Sequence, residues 1–160
     1  MAELTELIHR AYAPLAAAGM RYLGSYQDEA TTRERCGLGE SWVVERDGRV
    51  IAGVTWRHCP KPDEPPHYHR PDVAVFGQFV VEPEFQGRGI GGELLAKVES
   101  RAREAGFREL ACDTAAPNEP LVAFYRRRGY RIVDRVRWKD ANYESVILTK
   151  TLTTPPPAHI

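Results

Sequence analysis

The residues best suited to chemistry in this chain are four glycines within six positions, Gly87, Gly89, Gly91 and Gly92. They fall in the run Glu82-Pro83-Glu84-Phe85-Gln86-Gly87-Arg88-Gly89-Ile90-Gly91-Gly92. Glycine lacks a Cβ, so backbone N–H groups can converge there and a ligand can approach the main chain closely. Where such a turn opens a helix, the unpaired N–H donors and the helix dipole form a site for phosphate oxygens. A plain connection that binds nothing would carry the entropic cost of these glycines without return. Gly87, Gly89 and Gly92 also satisfy G-x-G-x-x-G, with Asp113 about 20 residues on, where a ribose-binding acid belongs. Two features argue against that dinucleotide reading. Five residues, Glu82 to Gln86, separate the preceding strand from the first glycine, and the chain has too few strand–helix units to build two nucleotide-gripping halves.

A second cluster follows in Asn118-Glu119-Pro120-Leu121-Val122-Ala123-Phe124-Tyr125-Arg126-Arg127-Arg128-Gly129-Tyr130. Asn118 suits a helix cap, and Tyr125 carries a hydroxyl that can donate a proton. Arg126, Arg127 and Arg128 suit the carboxyl end of that helix and water. His58, His67 and His69 lie in or beside the proline-rich loop Cys59 to Pro71, which is poorly suited to converging metal ligands, so no metal is expected. That loop is expected to wall an acceptor pocket or to lie exposed. Cys36, Cys59 and Cys112 are odd in number and lack metal-type spacing, so they read as reduced thiols without a catalytic role.

The elements that must position these residues follow from periodicity. Leu4, Leu7, Ile8 and Ala11 predict an opening helix, and Glu29 to Cys36 a second. Ser41 to Arg57 reads as a hairpin turning at Asp47-Gly48. A strand Val73 to Val81 precedes the glycine turn. Leu94, Leu95, Val98 and Ala102 then line a helix that starts at Ile90 and stops at Gly106. A strand Leu110 to Thr114 comes next, then a helix from Asn118 to Gly129, then strands Tyr130 to Trp138 and Tyr143 to Thr149. This order predicts one α/β domain with a mixed sheet over residues 1–152, and a Pro-rich, disordered tail over 153–160.

Gln86-Gly87-Arg88-Gly89-Ile90-Gly91 resembles the Gln/Arg-x-x-Gly-x-Gly/Ala signature of the GNAT N-acetyltransferase superfamily. The segment from Asn118 to Tyr130 is similar to that family's Asn…Ala-x-Tyr-x-x-x-Gly-Phe/Tyr segment. The resemblance spans roughly Ser41 to Leu152 and departs at the beginning, where the family's usual first strand is missing. It implies a GNAT fold with about four helices and a central mixed sheet of about six or seven strands, splayed between the family's fourth and fifth strands. Those correspond to Val73–Val81 and Leu110–Thr114.

The resemblance further implies acetyl-coenzyme A as acyl donor. Its pantetheine arm would pair with the backbone of Phe79, Val80 and Val81, and Gln86, Gly87, Arg88, Gly89, Ile90 and Gly91 would cradle the pyrophosphate. Gly92 would stand at the helix start, Asn118 would touch the arm, and Tyr125 would protonate the departing thiolate. The family's glutamate base has no counterpart, because Val75 occupies its position. Glu82, His67, His69 and Asp72 are the nearest titratable groups, with Glu82 expected to be solvated and none expected to be indispensable.

Function classes narrow accordingly. Acidic and basic side chains balance at 22 each, which gives no field for gathering nucleic acid. No apolar run approaches membrane-spanning length and no signal-peptide pattern opens the chain, so a soluble cytoplasmic monomer or homodimer is expected. The reading is transfer of acetyl to a primary amine of a small molecule or peptide by direct attack in a ternary complex. A coenzyme A-binding regulatory module without activity, and a protein lysine or N-terminal acetyltransferase, are the alternatives.

Overall fold

In the computed structural model, residues 1–152 are described; the predicted tail, 153–160, lies outside the described residues. The chain opens with helix α1 (Ala2–Ala17), longer than the apolar repeat alone implied, followed by α2 (Glu29–Cys36). Asp28 caps α2, its carboxylate accepting from the Thr31 N–H at 2.8 Å, which satisfies one of the orphan donors of the first turn.

Strands β1 (Glu40–Arg46) and β2 (Arg49–Arg57) form the expected hairpin. Asp47 (φ +50°) and Gly48 (φ +75°) both adopt the left-handed region that a two-residue hairpin turn requires. Strand β3 (Val73–Val81), helix α3 (Ile90–Glu104) and strand β4 (Glu109–Ala115) follow. Helix α4 (Glu119–Arg127) leads to β5 (Arg131–Val136) and β6 (Ser145–Thr151). The sheet has six strands in the order β1-β2-β3-β4-β6-β5, with only the β3–β4 pair parallel. Four helices and six strands are the expected α/β architecture.

Helices α3 and α4 cover one face. Leu94, Leu95, Val98 and Ala102 of α3 pack with Ala74 and Phe76 of β3, Cys112 of β4 and Tyr125 of α4. Burying each large apolar side chain in that layer contributes about 1.5–3 kcal/mol. On the other face Leu7 and Ile8 of α1 pack against Val80 of β3.

Two irregularities in β3 shape everything above it. Gly53 pairs with Val80 and Thr55 with Gly77, so two steps along β2 meet three along β3. The extra residue is a bulge at Gln78, a non-glycine with φ +49°. It resets the side-chain alternation: Ala74 and Phe76 face α3 below it, Phe79 and Val81 above it. The second irregularity is where pairing stops. Strands β3 and β4 are joined only through Val73↔Glu109, Ala74↔Leu110 and Val75↔Ala111. Beyond Val75 they part, which leaves one edge of β3 open inside the sheet.

Candidate active site

The glycine turn sits at the top of the open β3 edge. Gly87 (φ +77°) and Gly89 (φ +85°) take a left-handed backbone that side chains rarely adopt, and a Cβ built at either would meet only open space. The turn thus faces outward and is shaped for something else to lie against it. Gly89 is the N-cap of α3 and offers no side-chain acceptor, so the first N–H groups of the helix stay available. Gly91 lies closer in: a Cβ built there would touch the Phe79 ring at 3.4 Å and Val81 at 3.5 Å, so the start of α3 packs directly on β3. Gln86 turns inward, its amide donating to the Val81 carbonyl at 3.0 Å. Arg88 is exposed, with its guanidinium over the Phe85 ring.

Arg128 serves the carboxyl end of α4 as expected, its Nη1 donating to the Phe124 carbonyl at 3.2 Å, but it is half-buried. Its guanidinium stacks on the Phe124 ring at 3.6 Å, and a Cβ at Gly92 would come within 2.8 Å of Nη2. The arginine therefore stands over the first turn of α3, beside the cradle, instead of pointing to water at the end of α4. Only a glycine at 92 leaves room for it there, a packing requirement that no spacing rule reveals.

Along β3, the Glu82 N–H donates to the Ile51 carbonyl at 2.7 Å, which fixes the alternation of that edge. Val80, two residues earlier, therefore turns its main-chain groups toward β2, while those of Phe79 and Val81 point into the split. Of the three expected backbone contacts, two face the gap. Asn118 stands at the N-cap position of α4, but its side chain makes no capping bond, so the predicted cap is not formed. Its carbonyl instead accepts from the Val122 N–H.

Tyr125 reaches the split from α4. The ring is buried edge-on against Phe76 and Phe124 at 5.8 and 5.5 Å. It lines a cavity of about 600 Å³ that opens where β3 and β4 part. Burial holds its phenol well above the usual pKa, so it remains a proton donor at neutral pH. Burial likewise pushes the neighbouring Cys112 thiol up, which keeps it an unreactive core residue.

The far side of the cavity is built by side chains that sequence spacing did not single out. Asp113 of β4 lines it and is exposed to it. Tyr68 donates to Oδ1 at 2.8 Å and the Trp138 indole N–H to Oδ2 at 3.1 Å. This carboxylate is exposed to the cavity; the protein crowded around it raises its pKa, and the two donated hydrogen bonds and the charge of Arg35 oppose that rise. Tyr22 secures the upper end of β4, its hydroxyl accepting from the Ala115 N–H at 3.1 Å where no neighbouring strand does so on the β3 side. Gln78, Gln27 and Arg35 form a chain. The Gln27 amide donates to Gln78 Oε1 at 3.0 Å, and Arg35 Nη1 donates to Gln27 Oε1 at 2.7 Å. The bulge is thereby tied to α2.

The sequence-derived base candidates are not here. Glu82 is buried rather than solvated: Arg10 of α1 clamps both its oxygens, with Nη2–Oε2 at 2.7 Å. That pairing holds its carboxyl below the usual range and makes it a poor proton acceptor. His67 packs 3.5 Å from Glu109, and burial pulls its pKa down. His69 lies on the Glu64 carbonyl, Asp72 beside Arg70, and His58 on the Phe107 ring. Within the proline-rich loop it is Tyr68, between the two histidines, that faces the cavity, with Arg57 and Glu64 paired beside it. The loop does form one wall.

Comparison with known proteins agrees with this geometry. The model of the Acetyltransferase (GNAT) family matches residues 1–130. S-(2-succino)cysteine N-acetyltransferase of Bacillus subtilis is 30% identical over 130 residues, covering 80% of this chain and 76% of its own. S-alkylcysteine N-acetyltransferase of the same organism is 30% identical over 133 residues, covering 81% and 72%. A GNAT family acetyltransferase from Elizabethkingia anophelis, solved with acetyl-CoA bound, superposes with a TM-score of 0.62 at 19% identity, over 78% of this chain and 84% of that one. No helix among the described residues is long and apolar enough to cross a membrane. The chain belongs to the GNAT family of acetyl-CoA-dependent N-acetyltransferases.

Proposed function

We propose that this enzyme acetylates the primary amine of a small molecule, with donor and acceptor meeting in the split between β3 and β4. The observation that carries the reading is an open main-chain edge of β3 that leads into an outward-facing glycine turn and, at Phe79, borders a cavity that Tyr125 also lines. The relatives named above act, by their names, on S-substituted cysteines, which are small amines. A concave cavity of about 600 Å³ has room for such a molecule.

Acetyl-CoA supplies an activated acyl group. Phe79 and Val81 add its amide-bearing arm to β3 as a further strand would be added. The backbone of Gln86 to Gly91 and the start of α3 hold the pyrophosphate, with Gly92 giving Arg128 access to the same charge. Asn118, at the start of α4, has a side-chain amide uncommitted to a cap and would touch the arm with it. In transfer, the amine nitrogen bonds to the acyl carbon and the carbon–sulfur bond breaks. Tyr125 gives its phenolic proton to the sulfur, and the proton surplus on nitrogen passes out through cavity water, restoring the phenol. Most of the rate gain comes from holding amine and thioester together.

Thiol release from acetyl-CoA across a panel of small amines and short peptides tests this. Turnover of small amines is expected; release with peptides alone would overturn the small-molecule assignment.

A further inference from the structure

The carboxylates of this protein divide in an informative way. Three are buried among the described residues, and each has a basic partner: Glu82 with Arg10, Glu99 with Lys150, and Glu109 with Arg70 and Arg131; the half-buried Glu64 pairs with Arg57. Asp113 lines the cavity and is exposed to it; it has no ion pair among the described residues, and its oxygens accept from the neutral Tyr68 and Trp138. A carboxylate held in place by neutral donors and open to the cavity is placed to receive a cation from it.

Arg35 is the mirror case. It is half-buried, lines the same cavity and forms no ion pair among the described residues. Nη1 is spent on the neutral Gln27 amide oxygen at 2.7 Å, and Nη2 lies 3.8 Å from where a Gly77 side chain would begin. The last β3–β4 pair is Val75↔Ala111, so the same register carried two residues further sets Gly77 across from Asp113. The unpaired guanidinium and the unpaired carboxylate thus stand on opposite lips of the split. Arg21 and Lys139 also border the cavity, but both are exposed, whereas Arg35 is half-buried and held in place by Gln27.

We propose that the acceptor is a free amino acid, its ammonium group received by Asp113 and its carboxylate by Arg35. The inference rests on the acetyltransferase reading above and specifies its substrate class. A zwitterion meets both unpaired charges at once, within the cavity that Tyr125 also lines. Tyr68 and Trp138 are positioning residues: they fix the Asp113 carboxylate without neutralising it. The bulge at Gln78 does the same for Arg35 through Gln27.

The test uses S-benzyl-L-cysteine, its carboxamide and the corresponding amine lacking the carboxyl group. Each is followed by thiol release with acetyl-CoA and, separately, by calorimetric titration into protein saturated with coenzyme A. The native protein should favour the free acid over both analogues by about tenfold or more in kcat/KM, the size expected for one charge-assisted contact. Arg35→Gln should bring that ratio close to one, and Arg35→Lys should restore part of it. Asp113→Asn should weaken binding of all three by about tenfold or more. It should also melt no lower than the native protein at neutral pH, because a carboxyl whose pKa is raised by folding costs stability there; a marked fall would mean that Asp113 is structural. The ligand series on native protein requires no variant to fold. Turnover of the carboxamide and the amine at rates equal to the free acid would sink the zwitterion and leave the acetyltransferase intact. Selective calorimetric binding of the free acid without transfer from any amine would do the reverse.

Discussion

The two sides of the split are built from different materials. The donor side is main chain: the β3 edge at Phe79 and Val81, the left-handed glycines 87 and 89, and the first turn of α3. The acceptor side is side chain: Asp113, Tyr68, Trp138, Arg35 and Gln78, contributed by two strands, a helix and two loops. A ligand that many related enzymes share can be held by backbone geometry, which glycine spacing encodes locally. A ligand particular to one enzyme must be held by side chains brought together only by the fold.

The largest expected effect breaks the donor side alone. Gly89→Asp forces a side chain and a negative charge onto a left-handed position facing the cradle. We expect acetyl-CoA affinity by calorimetry to fall by a factor of about 100 or more, combining lost helix-terminus attraction with like-charge repulsion. Unchanged affinity would detach the glycine turn from the donor. NADH should not displace acetyl-CoA from the native protein.

Tyr125→Phe touches the seam between the two sides. The ring packing against Phe76 and Phe124 is kept, so acetyl-CoA affinity should hold. Turnover should drop by about tenfold or more, the usual range for a lost general acid. Equal rates would make Tyr125 a packing residue.

A smaller effect lies outside both sides. Arg10 holds the Glu82 carboxyl below its ordinary value of 4.5. A carboxyl depressed by folding stabilises the protein above its unfolded pKa, and that contribution is lost as pH falls through the folded one. Arg10→Ala should therefore lower the melting temperature at pH 7 and flatten its fall below about pH 4.5. A variant whose acid limb matches the native curve would contradict the pairing. Smallest of all, Asp72→Asn and His69→Gln should leave turnover within about threefold of native, since these side chains lie outside the cavity and surface changes rarely exceed about 0.5 kcal/mol. A thousandfold loss in either would reveal a base.

The same division explains what could be read beforehand. The element order, the Asp47-Gly48 hairpin and the α3 face at Leu94, Leu95, Val98 and Ala102 are local patterns, and all appear in the fold. Val80 faces β2 because a bulge and a register decide it, and both are tertiary. Glu82 reads as a solvated turn residue because Arg10, its partner, is 72 positions away. Asp113 drew notice only as a ribose acid in a rejected dinucleotide fold. Its role in the cavity depends on Tyr68 and Trp138, 45 and 25 residues distant. The one signal that could have marked it is a charged residue inside an otherwise apolar strand, Leu110 to Thr114.

Amide hydrogen exchange with and without acetyl-CoA tests the donor side most directly, because it reads the main chain residue by residue. The account predicts new protection at Phe79, Val81 and the Gly87–Gly91 amides, with the β2-facing amide of Val80 already protected in the free enzyme. Protection confined to α1, α2 or the loop around Tyr68, with the β3 edge and glycine turn unchanged, would contradict it.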